Sequence, residues 1–174
     1  MRTSQTVCSN PLAKMDIWTE RLERRHLPLL KNWIGRTSGR MTPNDLPEDP
    51  AGLSAWFEDC AAETGRLDCL ISVYETPVGV SGLRKGQDGT AEFYLLLGET
   101  NYNPLRTVTY ATLRMLDRAL DECGCESVRV RAFLCFEEYR EELERMGFSG
   151  TGEEDGLLCA EVRKQDFLSR KYLF

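Results

Sequence analysis

The sequence predicts one α/β domain of the α+β kind, with a mixed, mostly antiparallel central sheet of six to seven strands flanked by helices. Its 174 residues suit a single core, which at this length buries roughly 70% of the surface that the unfolded chain exposes. Three strand patterns follow one another in mid-chain, and an amphipathic helix separates them from a further strand pattern. This order indicates a mixed sheet in which the strands on either side of the long helix are parallel.

The chain begins with a predicted strand and two helices. Residues Asp16 to Leu22 alternate weakly between polar and apolar side chains, and apolar residues then recur at helical spacing from Leu27 to Ile34. The second helix is marked by Leu53, Trp56, Phe57 and Cys60. Residues 35 to 50 contain glycine, serine, asparagine and three prolines, so we expect a loop there. A loop of this length inside a compact domain is often functional.

The middle of the chain predicts an antiparallel meander of three strands. These strands run from Leu67 to Glu75, from Val78 to Arg84 and from Thr90 to Leu97. Thr76-Pro77 separates the first two, and residues 85 to 89, with two glycines and an aspartate, separate the last two.

The clearest helix follows the meander, and Gly124 is placed to end it as a C-terminal cap. Its apolar stripe consists of Val108, Ala111, Met115, Leu116, Ala119, Leu120 and Cys123. The remaining predicted elements are a strand from Ser127 to Phe136, a charged helix from Glu137 to Met146, a strand from Leu157 to Val162 and a short helix from Phe167 to Tyr172. Residues 1 to 14 are interpreted as an extension, so the predicted domain spans residues 15 to 174.

Composition and charge exclude several classes of protein. A net charge of -6 without a basic stripe argues against a nucleic-acid binder that works by phosphate neutralisation. No apolar run approaches the roughly 18 residues of a membrane span, and the first residues lack the apolar segment of a signal peptide. The seven cysteines are odd in number and scattered, so we expect reduced thiols in a cytoplasmic protein. The single histidine, His26, is interpreted as a surface residue, and we expect no metal site.

Five short stretches carry a family resemblance. They are Thr19 to Leu22, Pro77 to Leu83, Ala91 to Leu97, Leu116 to Val128, and Glu144 to Phe148. In their order and spacing they resemble the opening strand, the third strand, the fourth strand, the end of the acyl-CoA-binding helix with the entry to strand 5, and the closing Gly-Phe signature of the GNAT superfamily. Within it, they resemble the branch of ribosomal-protein N-terminal acetyltransferases. The resemblance covers residues 16 to 165 and implies an acetyl-CoA-dependent N-acetyltransferase, in which a primary amine attacks the acyl group directly in a ternary complex.

The acyl-CoA loop of that superfamily reads Arg or Gln, two residues, Gly, one residue, and then Gly or Ala. Residues 103 to 108 stand at this place and read Asn-Pro-Leu-Arg-Thr-Val, so both small positions are filled. The first N–H groups of a helix are nevertheless unpaired and attract anions. The resemblance therefore implies that acetyl-CoA binds through Leu96, Leu97, Asn103, Leu105, Arg106, Thr107, Val108 and Thr109, the first two supplying backbone N–H groups for the oxyanion. If Asn103 caps the helix and Arg106 and Val108 crowd it, the diphosphate is excluded instead.

Acyl transfer to an amine needs a deprotonated amine, donors for the oxyanion and an acid for the leaving thiolate. Glu92 and Tyr94 lie on one face of the predicted fourth strand and are the candidate proton relays, with Glu92 preferred as the base. An exposed carboxylate without a catalytic role is the alternative interpretation of Glu92.

The acid that the resemblance implies is absent. Relatives carry a tyrosine where this chain has Leu143, and often an asparagine where it has Phe136. Tyr139 and Cys135 are candidate substitutes, against the alternative that both simply pack.

These departures leave a second function open, which is a degenerate GNAT-fold module that binds or regulates a partner without acyl-CoA. The acceptor also stays open among a peptide N-terminus, an amino sugar and a small metabolite, because the fold accepts many amines. A homodimer through exposed strands is compatible with this fold, although no residue requires it.

Overall fold

The structure is a computed structural model that describes residues 16–37, 46–47, 49–132, 137–154 and 157–174. The predicted extension, residues 1 to 14, lies outside the described residues, as does most of the predicted loop from 35 to 50.

The described chain contains seven strands and five α-helices. The strands are β1 (Ile17–Arg21), β2 (Arg66–Val73), β3 (Thr76–Lys85), β4 (Thr90–Leu97), β5 (Ser127–Ala132), β6 (Ser149–Glu154) and β7 (Leu157–Arg163). The helices are α1 (Leu27–Thr37), α2 (Pro50–Ala62), α3 (Pro104–Asp117), α4 (Glu137–Met146) and α5 (Lys164–Arg170). A 3-10 turn (Arg24–His26) precedes α1, a π-helical turn (Arg118–Glu122) extends α3, and a 3-10 turn (Lys171–Leu173) follows α5.

The seven strands form one sheet in the order β1-β2-β3-β4-β5-β7-β6. Only β4 and β5 pair in parallel, and the other five pairings are antiparallel. The predicted fold class is confirmed, including the parallel pair on either side of the long helix. Strand β6 was not predicted, because its residues Ser-Gly-Thr-Gly-Glu-Glu lack an apolar alternation.

Some predicted boundaries differ from the structure. The turn between β2 and β3 falls at Tyr74-Glu75, whose φ angles are 49° and 68°, rather than at Thr76-Pro77, which belongs to β3. Two successive positive φ angles in a two-residue loop suit the twist of a hairpin. Gly124 has a φ of 64°, as its predicted capping role requires.

Helices cover both faces of the sheet. Arg66 of β2 lies under Trp56 of α2, so its face of the sheet is the α1/α2 face. Cys69, three residues on, lies on the opposite face. Burial raises the pKa of its thiol to about 11, against the smaller lowering effect of the charge of Arg118 at the end of α3. Thr112 of α3 bonds to Tyr139 of α4, so these helices share the α3/α4 face.

His26 is buried, so the surface position expected for it is wrong. Its side chain is only 7% exposed, and its Nδ1 accepts a 3.0 Å hydrogen bond from the Glu23 backbone N–H. The 3-10 turn before α1 folds the imidazole back over the chain, which local sequence does not reveal.

Candidate active site

The parallel strands β4 and β5 diverge. Their pairing runs from Thr90↔Ser127 to Phe93↔Val130 and then stops, although β4 continues to Leu97 and β5 to Ala132. The opening between residues 94–97 and residues 131–132 is called the splay below. It lies at the carboxyl end of β4, which is where ligands bind in sheets with a parallel crossover.

Backbone N–H groups of β4 face the splay at alternate residues. The Gly98 N–H donates to the Val78 carbonyl of β3 at 2.8 Å, and the Gly86 N–H donates to the Thr90 carbonyl at 2.7 Å. The backbone N–H and C=O groups of even-numbered residues of β4 therefore bond to β3, and those of odd-numbered residues are directed toward β5. Of the two predicted oxyanion donors, Leu97 has its backbone N–H directed toward the splay, whereas the N–H of Leu96 is directed toward β3. Leu95 joins Leu97 on the splay side.

A loop of six residues, 98–103, separates β4 from the N-terminus of α3. The Asn103 side chain accepts a 3.2 Å hydrogen bond from the Arg106 N–H, and the Asn103 carbonyl accepts the Thr107 N–H at 3.2 Å. Pro104 has no N–H to offer. Leu105 therefore carries the remaining N–H of the first turn, and the backbone cradle that glycines provide in the GNAT loop is mostly occupied by the cap.

Side chains on the same helix have hydrogen-bonding groups that are not used by the cap. The Nε and Nη2 atoms of Arg106 are buried, and they have no hydrogen-bond partner among the described residues. One helical turn later on the same face, the buried hydroxyl of Thr109 also has no described partner. Buried polar groups are normally paired, so these atoms fit an anionic ligand that the described residues do not supply.

Two of the other predicted cofactor residues belong to the core. Val108 is 0% exposed, and the hydroxyl of the equally buried Thr107 donates to the backbone carbonyls of Tyr102 and Asn103. Thr107 thus supports the helix N-terminus from within rather than presenting its hydroxyl to a ligand.

Tyr94 is directed away from the splay. Its ring lies over Gly82 of β3, where any Cβ would collide with it, and its hydroxyl donates to Asp68 of β2. Asp68 also pairs with Arg66 at 3.2 Å. Burial and the charge of Asp68 raise the pKa of Tyr94 well above its usual range. A tyrosine held in this way is poorly placed to take a proton at the splay.

Glu92 lies one residue before the pairing of β4 with β5 ends. Its side chain is exposed on the α1/α2 face, with Arg84 and Arg129 as its neighbours on β3 and β5. It lines an open pocket of about 390 Å³ with these arginines, and it makes no ion pair with them. Its carboxylate is therefore available to a ligand.

The substitutes proposed for the missing acid are not supported where they are described. Tyr139 is 1% exposed and bonds to the Thr112 hydroxyl at 2.8 Å, and burial raises the pKa of Tyr139 to about 12. Leu143 is fully buried. Cys135 and Phe136 lie outside the described residues.

Within the described part of the chain, no helix is long and apolar enough to cross a membrane. The same residues contain no group of three or more His, Cys, Asp or Glu side chains that could hold a metal ion.

The likeness of this chain to known proteins lies in its structure. No protein-family model and no curated protein matches the sequence. Among solved structures, an uncharacterized protein from Bacillus halodurans aligns with a TM-score of 0.72 at 9% identity, over 92% of this chain and 90% of its own. A mutant form of the spermidine N-acetyltransferase SpeG from Vibrio cholerae aligns with a TM-score of 0.72 at 15% identity, over 89% and 98%.

A candidate acetyltransferase from T. thermophilus aligns with a TM-score of 0.66 at 18% identity, over 90% of both chains. Likeness at such low identity shows the fold and does not transfer an acceptor. The chain has the GNAT fold.

Proposed function

We propose that this protein is an acetyl-CoA-dependent N-acetyltransferase that acts on a primary amine. The carrying observation is the splay, where the N–H groups of Leu95 and Leu97 face an opening next to the N-terminus of α3. Backbone N–H groups held by a sheet are suited to stabilise a carbonyl oxygen as it becomes negative. Acetyltransferases among the structural neighbours support the same activity.

Coenzyme A would be held by side chains more than by backbone. The Arg106 guanidinium, with two buried nitrogens that lack a described partner, and the Thr109 hydroxyl would bind the diphosphate together with the Leu105 N–H. An arginine binds phosphate by two parallel charge-assisted hydrogen bonds. In this proposal Arg106 fills the place of a glycine in the loop and also replaces its function.

The cosubstrate supplies a thioester whose acetyl group is transferred. Glu92 accepts one proton from the ammonium form of the substrate, and the neutral amine nitrogen then forms the C–N bond to the carbonyl carbon. The N–H groups of Leu95 and Leu97 bind the carbonyl oxygen while the C–S bond breaks. The second proton that the nitrogen loses goes to the thiolate, so the products are the amide, the thiol and one proton released through Glu92.

Calorimetric titration with coenzyme A tests the cofactor half of the proposal. We expect Arg106→Gln to weaken binding by roughly 10- to 150-fold, because a hydrogen bond to a charged group contributes about 1.5–3 kcal/mol. Arg114→Gln is the matched control, since Arg114 lies two turns further along the same helix. Equal affinities for the wild type and both variants would remove Arg106 from the site.

Thermal unfolding with acetyl-CoA distinguishes the enzyme from the alternative binding module. A ligand at about 100 times its dissociation constant adds about 2.7 kcal/mol to the free energy of unfolding. Stabilisation by acetyl-CoA, followed by acetylation of amines detected by mass spectrometry, supports the enzyme. If neither coenzyme A nor acetyl-CoA stabilises the protein, the capped helix excludes the diphosphate and the module is favoured.

A further inference from the structure

The α1/α2 face of the sheet is uncovered beside the splay. The partners across the strands run Arg66↔Arg84↔Glu92↔Arg129↔Glu161, so these residues share one face. Arg66 is covered by Trp56 of α2, whereas Glu92 and Arg129 are exposed. Because α3 lies on the opposite face, an acceptor that approaches from the α1/α2 face does not compete with a cofactor bound at α3.

Two opposite charges lie on this uncovered face near the splay, Arg131 at its start and Glu92 two residues before it. Arg131 is the first residue of β5 beyond the paired segment, and it lies on the same face as Arg129, two residues earlier. It is exposed and makes no hydrogen bond or ion pair with the described residues. Glu92, on the facing strand, likewise makes no ion pair with them. Strand geometry separates their Cα atoms by at least about 8 Å.

The neighbouring charges are already compensated. Arg129 pairs with Glu161 at 3.2 Å, and Arg84 pairs with Glu63. The Lys85 ammonium donates to the Cys123 carbonyl at 2.8 Å. Arg131 is therefore the cation at the mouth of the splay that has no described anion.

The Tyr94 side chain is turned toward β3 and β2, so it leaves the splay open on the α1/α2 face. Tyr94 is level with Arg131 on the facing strand, but its ring lies over Gly82 on the far side of β4. A tyrosine turned toward β5 would cover the approach to the backbone N–H groups. With the ring held on Asp68, a ligand on this face meets a guanidinium on one side and a carboxylate on the other.

We propose that the acceptor is a primary amine that also carries a carboxylate or phosphate, with Arg131 holding the anion and Glu92 holding the ammonium group. This inference rests on the proposed function. Arginine suits both anions because its planar group binds two oxygens at once. The ammonium group bound by Glu92 is the group that is deprotonated and acetylated. A polyamine presents only cations, so Arg131 repels it.

Matched pairs of amines test the inference. The acceptors are glycine and glycinamide, glutamate α-amide and glutamine α-amide, glucosamine 6-phosphate and glucosamine, with spermidine as a purely cationic amine. Acetylation is followed by mass spectrometry, and kcat and KM are measured separately. We expect the anionic member of at least one pair to be preferred by roughly tenfold to a hundredfold in kcat/KM.

Arg131→Gln is expected to raise KM for that anionic acceptor by a similar factor, with kcat and the rate for its neutral partner little changed. Arg131→Lys should recover part of the loss. Arg163→Gln is the matched control, because Arg163 is an exposed arginine on the same face of the adjacent strand, four residues from the level of Arg131 and thus about 14 Å away. This substitution should leave kcat and KM unchanged for both the anionic acceptor and its neutral partner.

The outcomes separate this inference from the proposed function. If acetyl-CoA binds and neutral amines or spermidine are acetylated as well as anionic ones, the function stands and the inference is wrong. Acetyl-CoA binding without acetylation of any anionic member also overturns it. If acetyl-CoA does not bind, the proposed function fails first, and the acceptor assignment fails with it.

Discussion

The Tyr94 hydroxyl donates a hydrogen bond to the Asp68 carboxylate, which anchors a side chain of β4 on β2 across the intervening strand. Gly82 makes this possible, because any side chain there would occupy the space of the ring. The Arg66 guanidinium pairs with the same carboxylate and lies 5.2 Å from the Trp56 ring centroid and 6.0 Å from that of Tyr94. This cluster joins α2 to the centre of the sheet and keeps Tyr94 out of the splay.

Tyr94→Phe is therefore expected to affect stability rather than catalysis. Loss of a hydrogen bond to the partly buried Asp68 carboxylate lowers the free energy of unfolding by about 1.5–3 kcal/mol, measured by urea denaturation. Coenzyme A affinity and kcat should stay within about twofold of the wild type, a limit of about 0.4 kcal/mol. Tyr172→Phe, at a residue that is 93% exposed, controls for loss of a tyrosine hydroxyl. A large fall in kcat with unchanged stability would restore Tyr94 as the proton relay.

The sequence predicted the fold well because its signals are local. Alternation in β2, β3 and β4 and the stripe of α3 each need only neighbouring residues. The parallel pairing of β4 with β5 followed from the order of elements, since crossover connections allow few arrangements. By contrast, β6 has glycines where a strand would carry an apolar alternation, and it is defined by pairing with β7.

The candidate site was predicted less completely because it depends on relations between strands. Glu92 and Tyr94 share a face, as their spacing requires, but the direction of the Tyr94 ring is set by Gly82, twelve residues away. Which N–H groups face the splay depends on the register with β3, so spacing alone could not separate Leu95 from Leu96. Arg131 carried no signal in the sequence, because its position beside the splay appears only where β4 and β5 diverge.

The pKa of Tyr139 predicts a dependence of stability on pH. Burial raises this pKa to about 12, against about 10 in the unfolded chain, so the folded state favours the neutral phenol. The contribution of the neutral Tyr139 phenol to the free energy of unfolding is complete below pH 10, and it is lost as the pH rises toward about 12. The titration of Tyr139 should therefore lower the free energy of unfolding of the wild type by about 1.4 kcal/mol between about pH 8 and about pH 11.

Tyr139→Phe isolates that effect. Thr112 still donates to the Val108 carbonyl at 2.7 Å, so the substitution leaves the threonine hydroxyl with a partner. Urea denaturation of both proteins at about pH 8 and about pH 11 gives the difference in stability, which should shrink by about 1.4 kcal/mol at the higher pH. A constant difference would mean that the phenol titrates alike in the folded and unfolded states.

Asn103→Ala separates the role of the helix cap from that of the proposed anion site. Loss of the cap should cost about 1 kcal/mol in the free energy of unfolding. Coenzyme A affinity should be retained or increased, because the Arg106 N–H is then available to phosphate. Calorimetric titration at matched temperature and salt measures this. A loss of affinity as large as that of Arg106→Gln would show that Asn103 itself contacts the cofactor.

The turn of the β2–β3 hairpin contains a residue in a strained backbone conformation and lies close to the N-terminus of α3. Glu75 has a φ of 68°, which costs a residue with a side chain about 1–2 kcal/mol, and its side chain is exposed. Tyr74, the other turn residue, contacts Tyr102 with ring centroids 6.5 Å apart, and Tyr102 directly precedes the helix cap. The hairpin thus supports the loop that positions the N-terminus of α3.

Glu75→Gly is expected to stabilise the protein by about 0.5–1 kcal/mol. Relief of the left-handed conformation outweighs the cost of about 0.4–1 kcal/mol from the greater freedom of glycine in the unfolded chain. Glu75→Ala, which removes the side chain but keeps the strain, should give no comparable gain. Coenzyme A affinity should be unchanged in both variants, since Tyr74 is retained. If Glu75→Gly instead destabilised the protein while Glu75→Ala did not, the entropy of the unfolded chain would be the larger effect at this turn.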